Sequence, residues 1–406
     1  MTVTILITIC SLLLLAYVFD LTSSRTRIPS VLLLLLLGWL ARETSTFFNI
    51  EIPNLSRFLP FLGTVGLILI VLDGSLELEF NQSKKTIIKR SFLLAFIPLV
   101  LLALLLAYLF MQISQNVSFR DSLTNAIPFC AISSSVAISS VRSLTAAESE
   151  LIVYESSFSD ILGVLFFNFI ALNSVIDMHS IGLFVLQIIV IAFISFFASL
   201  GLSYLLSNIQ HSIKFVPIVL LLMLIYAISE VFHLPALIFI LLFGLLLGNL
   251  DELKRFKWVQ MLRPRQLDIE VQKFKDLIRE ITFLIRATFF LVFGFVLRKE
   301  EILNPQTILL AIGIVLAIYV FRLLVIRLLK LPFKPLFFIA PRGLITILLF
   351  LAVAPARMVP FINRSLVIQV IILTSLIMMG GFMRSKKKET LVAESEPGKV
   401  AAETNT

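Results

Sequence analysis

The stretch Asn125-Ala126-Ile127-Pro128-Phe129-Cys130-Ala131-Ile132-Ser133-Ser134-Ser135 sets a proline and three consecutive hydroxyls inside an apolar segment. A second stretch, Ile339-Ala340-Pro341-Arg342-Gly343, does the same with proline, arginine and glycine. Proline removes a backbone donor and breaks a helix interior. Such a break is tolerated at membrane depth only where protein or a water-filled cavity covers it. Composition decides that these segments are at membrane depth. Of the 406 residues, 59% are apolar and 15% are charged, against about 45–50% and 25% in soluble domains. The mean hydropathy is +1.03. A soluble enzyme, a nucleic-acid binder and a single-span receptor are excluded on these values.

Windows of about 19 residues predict thirteen spans. They lie near 3–21, 28–41, 59–78, 91–113, 122–142, 151–173, 181–207, 214–233, 235–250, 281–298, 306–329, 333–354 and 365–383. The interrupted stretches fall in spans 5 and 12. Interruptions at corresponding positions of two halves point to a transporter's ion site. An offset of seven spans reverses the direction of crossing, so the pattern predicts two inverted six-helix repeats, 1–6 and 8–13, joined by span 7. The expected fold is an all-α polytopic membrane protein with spans 5 and 12 crossed.

Basic residues set the expected orientation. Connections after odd-numbered spans carry 19 Lys and Arg and the tail carries 5, whereas connections after even-numbered spans carry 7. The positive-inside rule then puts the C-terminus in the cytoplasm and the N-terminus outside. The absence of a positive start and a small-residue cleavage site predicts that the first apolar run is a retained span. Residues 1–383 form the expected transmembrane domain. Within it, 251–280 is a basic connection with interleaved apolar residues, either an amphipathic helix on the inner membrane surface or a solvated linker. Residues 384–406 read as a short disordered cytoplasmic tail. Cys10 and Cys130 both sit in apolar runs, which argues against a disulfide or a cysteine-ligated metal.

Charges inside spans are costly and mark pairing or function. The candidates are Asp73 in span 3, Glu155 and Asp160 in span 6, Arg286 in span 10, Arg322 in span 11 and Arg342 in span 12. Three acids face three bases; a transporter needs at least one carboxylate left free to exchange its partner. Glu230 and Arg327 lie near span ends, within snorkelling reach of the interface. In Glu155-Ser156-Ser157-Phe158-Ser159-Asp160, Ser156 and Asp160 are four apart and share a helix face. Glu155 points elsewhere, so one acid is available to an ion while the other meets an arginine. Oxygen ligands of this kind suit hard cations. Asn168 and Asn173 read as hydrogen bonds between helices, and His233 as an interfacial residue.

These residues resemble the cation:proton antiporter superfamily, particularly its NhaP-type branch of sodium/proton exchangers, over roughly residues 4–383. Glu155-Ser156-Ser157-Phe158-Ser159-Asp160 is similar to the family's Glu-Ser-x-x-Asn-Asp signature, and Leu72-Asp73-Gly74 to its acid-glycine pattern closing span 3. Ile28-Pro29-Ser30 resembles the start of its second span. Arg322 and Pro341-Arg342-Gly343 resemble the arginine of span 11 and the Arg-Gly of span 12. The resemblance implies that Asp160 alternately binds a proton and a monovalent cation, sodium or potassium. Ser156 would be a ligand or its support, Asp73 an accessory acid, and Glu155 with Arg322 a buried structural pair. Ser159 stands where the family has Asn or Asp, and Ser133-Ser134-Ser135 looks more like the Ser-Ser-Thr of the potassium-efflux branch. Ser133, Ser134 and Ser159 therefore join the candidate ion site, while Arg286 and Arg342 join Glu155 and Arg322 as charge compensation.

A side chain at 159 that cannot ionise predicts one-for-one, electroneutral exchange. Burial and neighbouring charge would set where the Asp160 carboxyl titrates. The resemblance further implies a homodimer in the inner membrane of a bacterium, partnered by protons, cations and lipid, with no cofactor and no nucleic acid. The competing readings are a transport-inactive sensor or assembly subunit that retains the fold, a passive channel, and an intramembrane protease. The protease lacks a Gly-x-Gly-Asp around either acid, and His179, His211 and His233 lie away from the serines.

Overall fold

The computed structural model describes residues 2–26, 28–48, 55–80, 82–114, 117–140, 144–173, 178–208, 215–232, 234, 236–249 and 264–395. Among them the secondary structure is entirely helical. In chain order the helices are α1 (Thr2–Thr26), α2 (Ser30–Phe47), α3 (Leu59–Glu77) and α4 (Lys85–Ile113). The first interrupted segment follows, as α5 (Phe119–Ala126) and α6 (Ser134–Ser140). Next come α7 (Ala146–Leu172), α8 (Met178–Asn208), α9 (Phe215–Val231), α10 (Ala236–Gly248), α11 (Pro264–Val296) and α12 (Pro305–Leu328). The second interrupted segment ends in α13 (Leu344–Ala352), and α14 (Arg364–Ser395) closes the chain. Among the described residues, eleven continuous helices and two broken ones thus occupy the thirteen predicted stretches, and six helices are each long and apolar enough to cross a membrane.

Local chemistry starts these helices where they start. Ser118 accepts from the Asp121 N–H at 3.0 Å at the head of α5. Thr145 and Glu148 form a reciprocal capping box on α7. Asn304 accepts from Gln306 N–H at 3.0 Å, with Pro305 in the first turn of α12. Each side-chain oxygen satisfies an orphan donor of the first turn.

Two boundaries differ from expectation. α11 begins at Pro264, well before the predicted start of span 10, so the described part of the basic connection continues directly into the span. Its apolar residues Val271, Phe274 and Ile278 share one face and are buried, with the Phe274 ring 5.9 Å from that of Phe215. Of the interleaved apolar residues, Phe274 is thus taken up by the protein, whereas Ile269 is exposed. Residues 251–263, including Phe256 and Trp258, lie outside the described residues, as do His211 and His233. α14 likewise runs past the predicted span end to Ser395, so the first part of the supposed tail is helix; residues 396–406 lie outside the described set.

Apolar side chains point outward in quantity, as Phe193 and Phe197 on α8 and Leu309, Leu316 and Leu324 on α12 do. Lipid tails are as apolar as leucine, so helix pairing depends on close approach through small residues. The α2–α11 pair shows this. A Cβ on Gly38 would overlap the Leu291 carbonyl oxygen, and a Cβ on Gly294 the Leu35 carbonyl oxygen. Arg42 locks the same pair by donating to Leu297 O at 2.6 Å and Val296 O at 3.3 Å, the carbonyl end of α11. Gly294→Val should therefore lower the thermal unfolding midpoint in detergent by several degrees. Gly313→Val, which meets nothing within 4 Å, should leave it unchanged; equal midpoints for the two variants would refute this packing argument.

Candidate ion-binding site

The two interrupted segments meet at their breaks. After α5 the chain makes a single tight turn, Ile127–Phe129, and continues without helix to Ser134. The second makes a similar turn, Leu336–Phe338, and continues without helix through Gly343. Ser133 N–H donates to Pro341 O at 3.0 Å, which ties one break to the other. Gly343 is required at the crossing, because a Cβ there would lie 2.6 Å from Ser133 Oγ and 2.9 Å from Val136 Cγ2.

Breaking a helix frees backbone donors and acceptors that must be paired in the buried interior. α7, which packs across both segments, supplies acceptors for the amides. Ser159 Oγ accepts from Ile132 N–H at 2.8 Å, and Asp160 Oδ2 accepts from Ser134 N–H at 3.1 Å. Arginines supply donors for the carbonyls. Arg342 gives its Nε–H to Phe129 O at 2.6 Å and an Nη1–H to Ala340 O at 3.1 Å. Arg322 gives its Nε–H to Leu336 O at 2.6 Å. Thr374 on α14 accepts from the Arg342 backbone N–H at 3.1 Å.

The six predicted intramembrane charges do not divide into three pairs. Arg322 and Glu155 pair bidentately, at 2.6 Å and 3.2 Å, with both side chains buried. Arg342 spends its donors on carbonyl oxygens rather than on an acid. Arg286 lies 3.6 Å from a carboxylate absent from the candidates, Asp20 of α1. Asp20 was legible as an acid within the predicted first span, but its place near the span end hid it among interfacial charges. Asp160 is 3% exposed, and its Oδ1 has no hydrogen-bond partner among the described residues. It is therefore a buried carboxylate with one oxygen held and the other uncommitted.

The remaining candidates divide by contact. Ser156 Oγ donates to Val153 O at 3.3 Å within its own helix rather than to the Asp160 carboxylate. Ser133 and Ser135 hydroxyls lie 2.9 Å apart. Asn173 donates to Phe169 O in its own helix, so the bond expected to a neighbouring helix is instead intrahelical. Asp73 lies away from these contacts, on the wall of a cavity of about 550 Å³ that also includes Asp20, Glu77, Ser134, Ser135, Arg279 and Arg286. Ser134 links that cavity to the site, since its N–H holds Asp160. A second cavity of about 220 Å³ touches the other end of α7 at Phe167 and Asn168 and includes Glu230, which near a span end read only as interfacial.

The segment between α3 and α4 is fastened beside the larger cavity. Glu79 N–H donates to the Tyr154 hydroxyl at 3.1 Å, and Asn249 accepts from Phe80 N–H at 2.6 Å. Lys84 bridges Glu79 and Glu150, each at 2.7 Å. Hydrogen bonds to Glu150 and Glu79 hold its ammonium above the ordinary lysine range.

Crossed helix breaks around a buried carboxylate, beside a cavity lined with charged residues, are the arrangement expected of a secondary ion transporter. The family described as "Sodium/hydrogen exchanger, transmembrane" matches residues 9–384, and the chain belongs to that family. It is thus an integral membrane protein of a cation:proton exchanger family. Among solved structures it is similar to that of the sodium proton antiporter MjNhaP1 from Methanocaldococcus jannaschii at pH 8. That likeness has a TM-score of 0.67 and 18% identity, over 97% of this chain and 99% of that one. An electron-microscopy map of the same antiporter gives 0.68 and 19%, over 98% and 99%. At these identities the likeness establishes the fold. No curated protein matches in sequence.

Removing one member of a buried ion pair leaves an uncompensated charge, at a cost of about 3–5 kcal/mol. Glu155→Gln and Arg322→Met should each sharply lower the yield and thermal midpoint of the folded protein. The double variant should lose less than the sum of the two. Additive losses on thermal unfolding would show that the pair is not coupled.

Proposed function

We propose that this chain exchanges protons for sodium or potassium at Asp160, one cation for one proton. The observation that carries this reading is the state of the carboxylate. Asp160 is buried at the crossing of two helix breaks, with Oδ2 held by Ser134 N–H and Oδ1 without a partner. A group so placed takes either a proton or a desolvated cation, and binding one excludes the other.

Neighbouring residues would share the work. Ser134 would orient the carboxylate through its N–H. Ser133, Ser156 and Ser159 would offer hydroxyl oxygens or brace the backbone around the ion, as the Ser159 contact with Ile132 N–H illustrates. Asp73, on the cavity wall, would draw cations inward as an accessory acid. With Glu155 committed to Arg322 and a serine at 159, one carboxylate cycles, and exchange is electroneutral.

The larger cavity is bordered by the C-terminal part of α3 and by Arg279 and Glu280 of α11. α3 ends there beside one connection rich in lysine and arginine, and α11 reaches there from another, which supports a cytoplasmic opening, a cytoplasmic C-terminus and an inward-facing state. The smaller cavity, at the opposite end of α7, would become the outward path when α5, α6, α7, α13 and α14 shift against the other helices. A homodimer in the inner membrane of a bacterium suits the exposed apolar surfaces of α8 and α12.

The test uses purified protein in liposomes, acidic inside, with sodium, potassium or lithium added outside while the lumenal pH is followed. One cation should speed alkalinisation, and Asp160→Asn should abolish the response at normal expression. An exchange rate that follows the imposed membrane voltage through net charge movement would overturn electroneutrality. No response to any cation from well-folded protein would favour a transport-inactive sensor.

A further inference from the structure

Arg286 stands on the wall of the larger cavity with a contact on either side. Its Nη2 lies 3.6 Å from Asp20 Oδ1 on α1. Its Nη1 donates to Ser135 O at 3.5 Å on α6, and its guanidinium carbon is 6.0 Å from the centre of the Phe283 ring. The residue before Ser135 gives its N–H to Asp160. A permanent positive charge therefore sits one peptide from the hydrogen bond that orients the candidate ion-binding carboxylate.

The Asp20–Arg286 contact differs in kind from Glu155–Arg322. The latter is bidentate, short and sealed, with side chains 1% and 2% exposed. The former is longer than a charge-assisted hydrogen bond of about 2.7–2.9 Å, both side chains are 17% exposed, and Asp20 Oδ1 makes no hydrogen bond. A loose pair facing a cavity responds to the charges that enter it. The same walls carry Asp73, Glu77 and Glu280, which attract cations, and Arg279, which is engaged by Glu77 at 3.0 Å.

We propose that Arg286 is a tethered cation that opposes entry to the Asp160 site, and that Asp20 holds it aside. Together the pair sets the affinity for the incoming monovalent cation. This inference rests on the reading that cations reach Asp160 through this cavity. Removing the guanidinium deletes a like charge from the route, whereas removing Asp20 takes away the α1 carboxylate that holds it aside and lets it turn toward Asp73 on the same wall. The two members of one ion pair should therefore have opposite effects, which a pair serving only to join α1 to α11 would not produce.

The experiment measures KM and Vmax for the transported cation in proteoliposomes, together with thermal midpoints. Arg286→Gln should lower KM by about three- to tenfold with Vmax held within about twofold. Asp20→Asn should raise KM by a similar factor and reduce Vmax. The double variant should follow Arg286→Gln, and Arg286→Lys, which keeps the charge, should stay near wild type. If Arg286→Gln does not fold, the rise in KM for Asp20→Asn and the near-normal KM of Arg286→Lys carry the test. KM shifts of the same sign for the two single variants, or none, would overturn the proposal while exchange lost in Asp160→Asn leaves the functional reading intact. Absence of exchange in the wild type would sink both.

Discussion

The structure depends on one constraint: backbone amides and carbonyls freed in the membrane interior must find partners within the protein. Two helices break at mid-course, and each break exposes groups that neither water nor lipid would satisfy. The breaks answer one another first, through Ser133 N–H and Pro341 O. The remainder is met by side chains from neighbouring helices. Ser159 and Asp160 take the amides, Arg322 and Arg342 take the carbonyls, and Thr374 takes the amide of Arg342 itself.

That arrangement joins the fold to the candidate site at the centre of the protein. The residues that make the breaks tolerable are the ones that assemble the site. A guanidinium is suited to the carbonyl side because it never loses its charge and presents several donors in a plane. A carboxylate on the amide side has two oxygens, so satisfying the backbone uses one and leaves the other. Asp160 is in that position. Glu155, five residues earlier on α7, meets Arg322 with both oxygens and has none to spare. Two acids on one helix thus differ by the side of α7 each occupies, one committed to an arginine and the other keeping an oxygen without a partner among the described residues.

Much of this was legible in the order of residues. Pro128 and Pro341 have no N–H to give a helix, and the hydroxyls and Arg-Gly beside them announced where backbone would need partners. Helical spacing alone separated Glu155 from Asp160. Less legible was anything dependent on which helices are neighbours. Asp20 lies far from Arg286 in the chain, and nothing local distinguishes it from an interfacial acid. Ser156 looked like the natural companion of Asp160 at four residues' spacing, yet its hydroxyl donates to Val153 O, because a helical serine finds a carbonyl of the preceding turn at no conformational cost. Asn173 follows the same rule with Phe169 O.

The sequence by itself determined a many-spanning helical membrane protein, the positions of its two breaks and the candidate carboxylate between them. The spans and the breaks follow from hydropathy and from the missing donor of proline, which act within a few residues, and the carboxylate follows from the resemblance of Glu155-Ser156-Ser157-Phe158-Ser159-Asp160 to the family's signature. Only the tertiary structure decided who meets whom: Arg342 on carbonyls rather than on an acid, Arg286 with Asp20, and the cavity that reaches Ser134. Such choices are made by helix packing, where close approach through Gly38, Gly294 and Gly343 brings together groups that no local pattern connects.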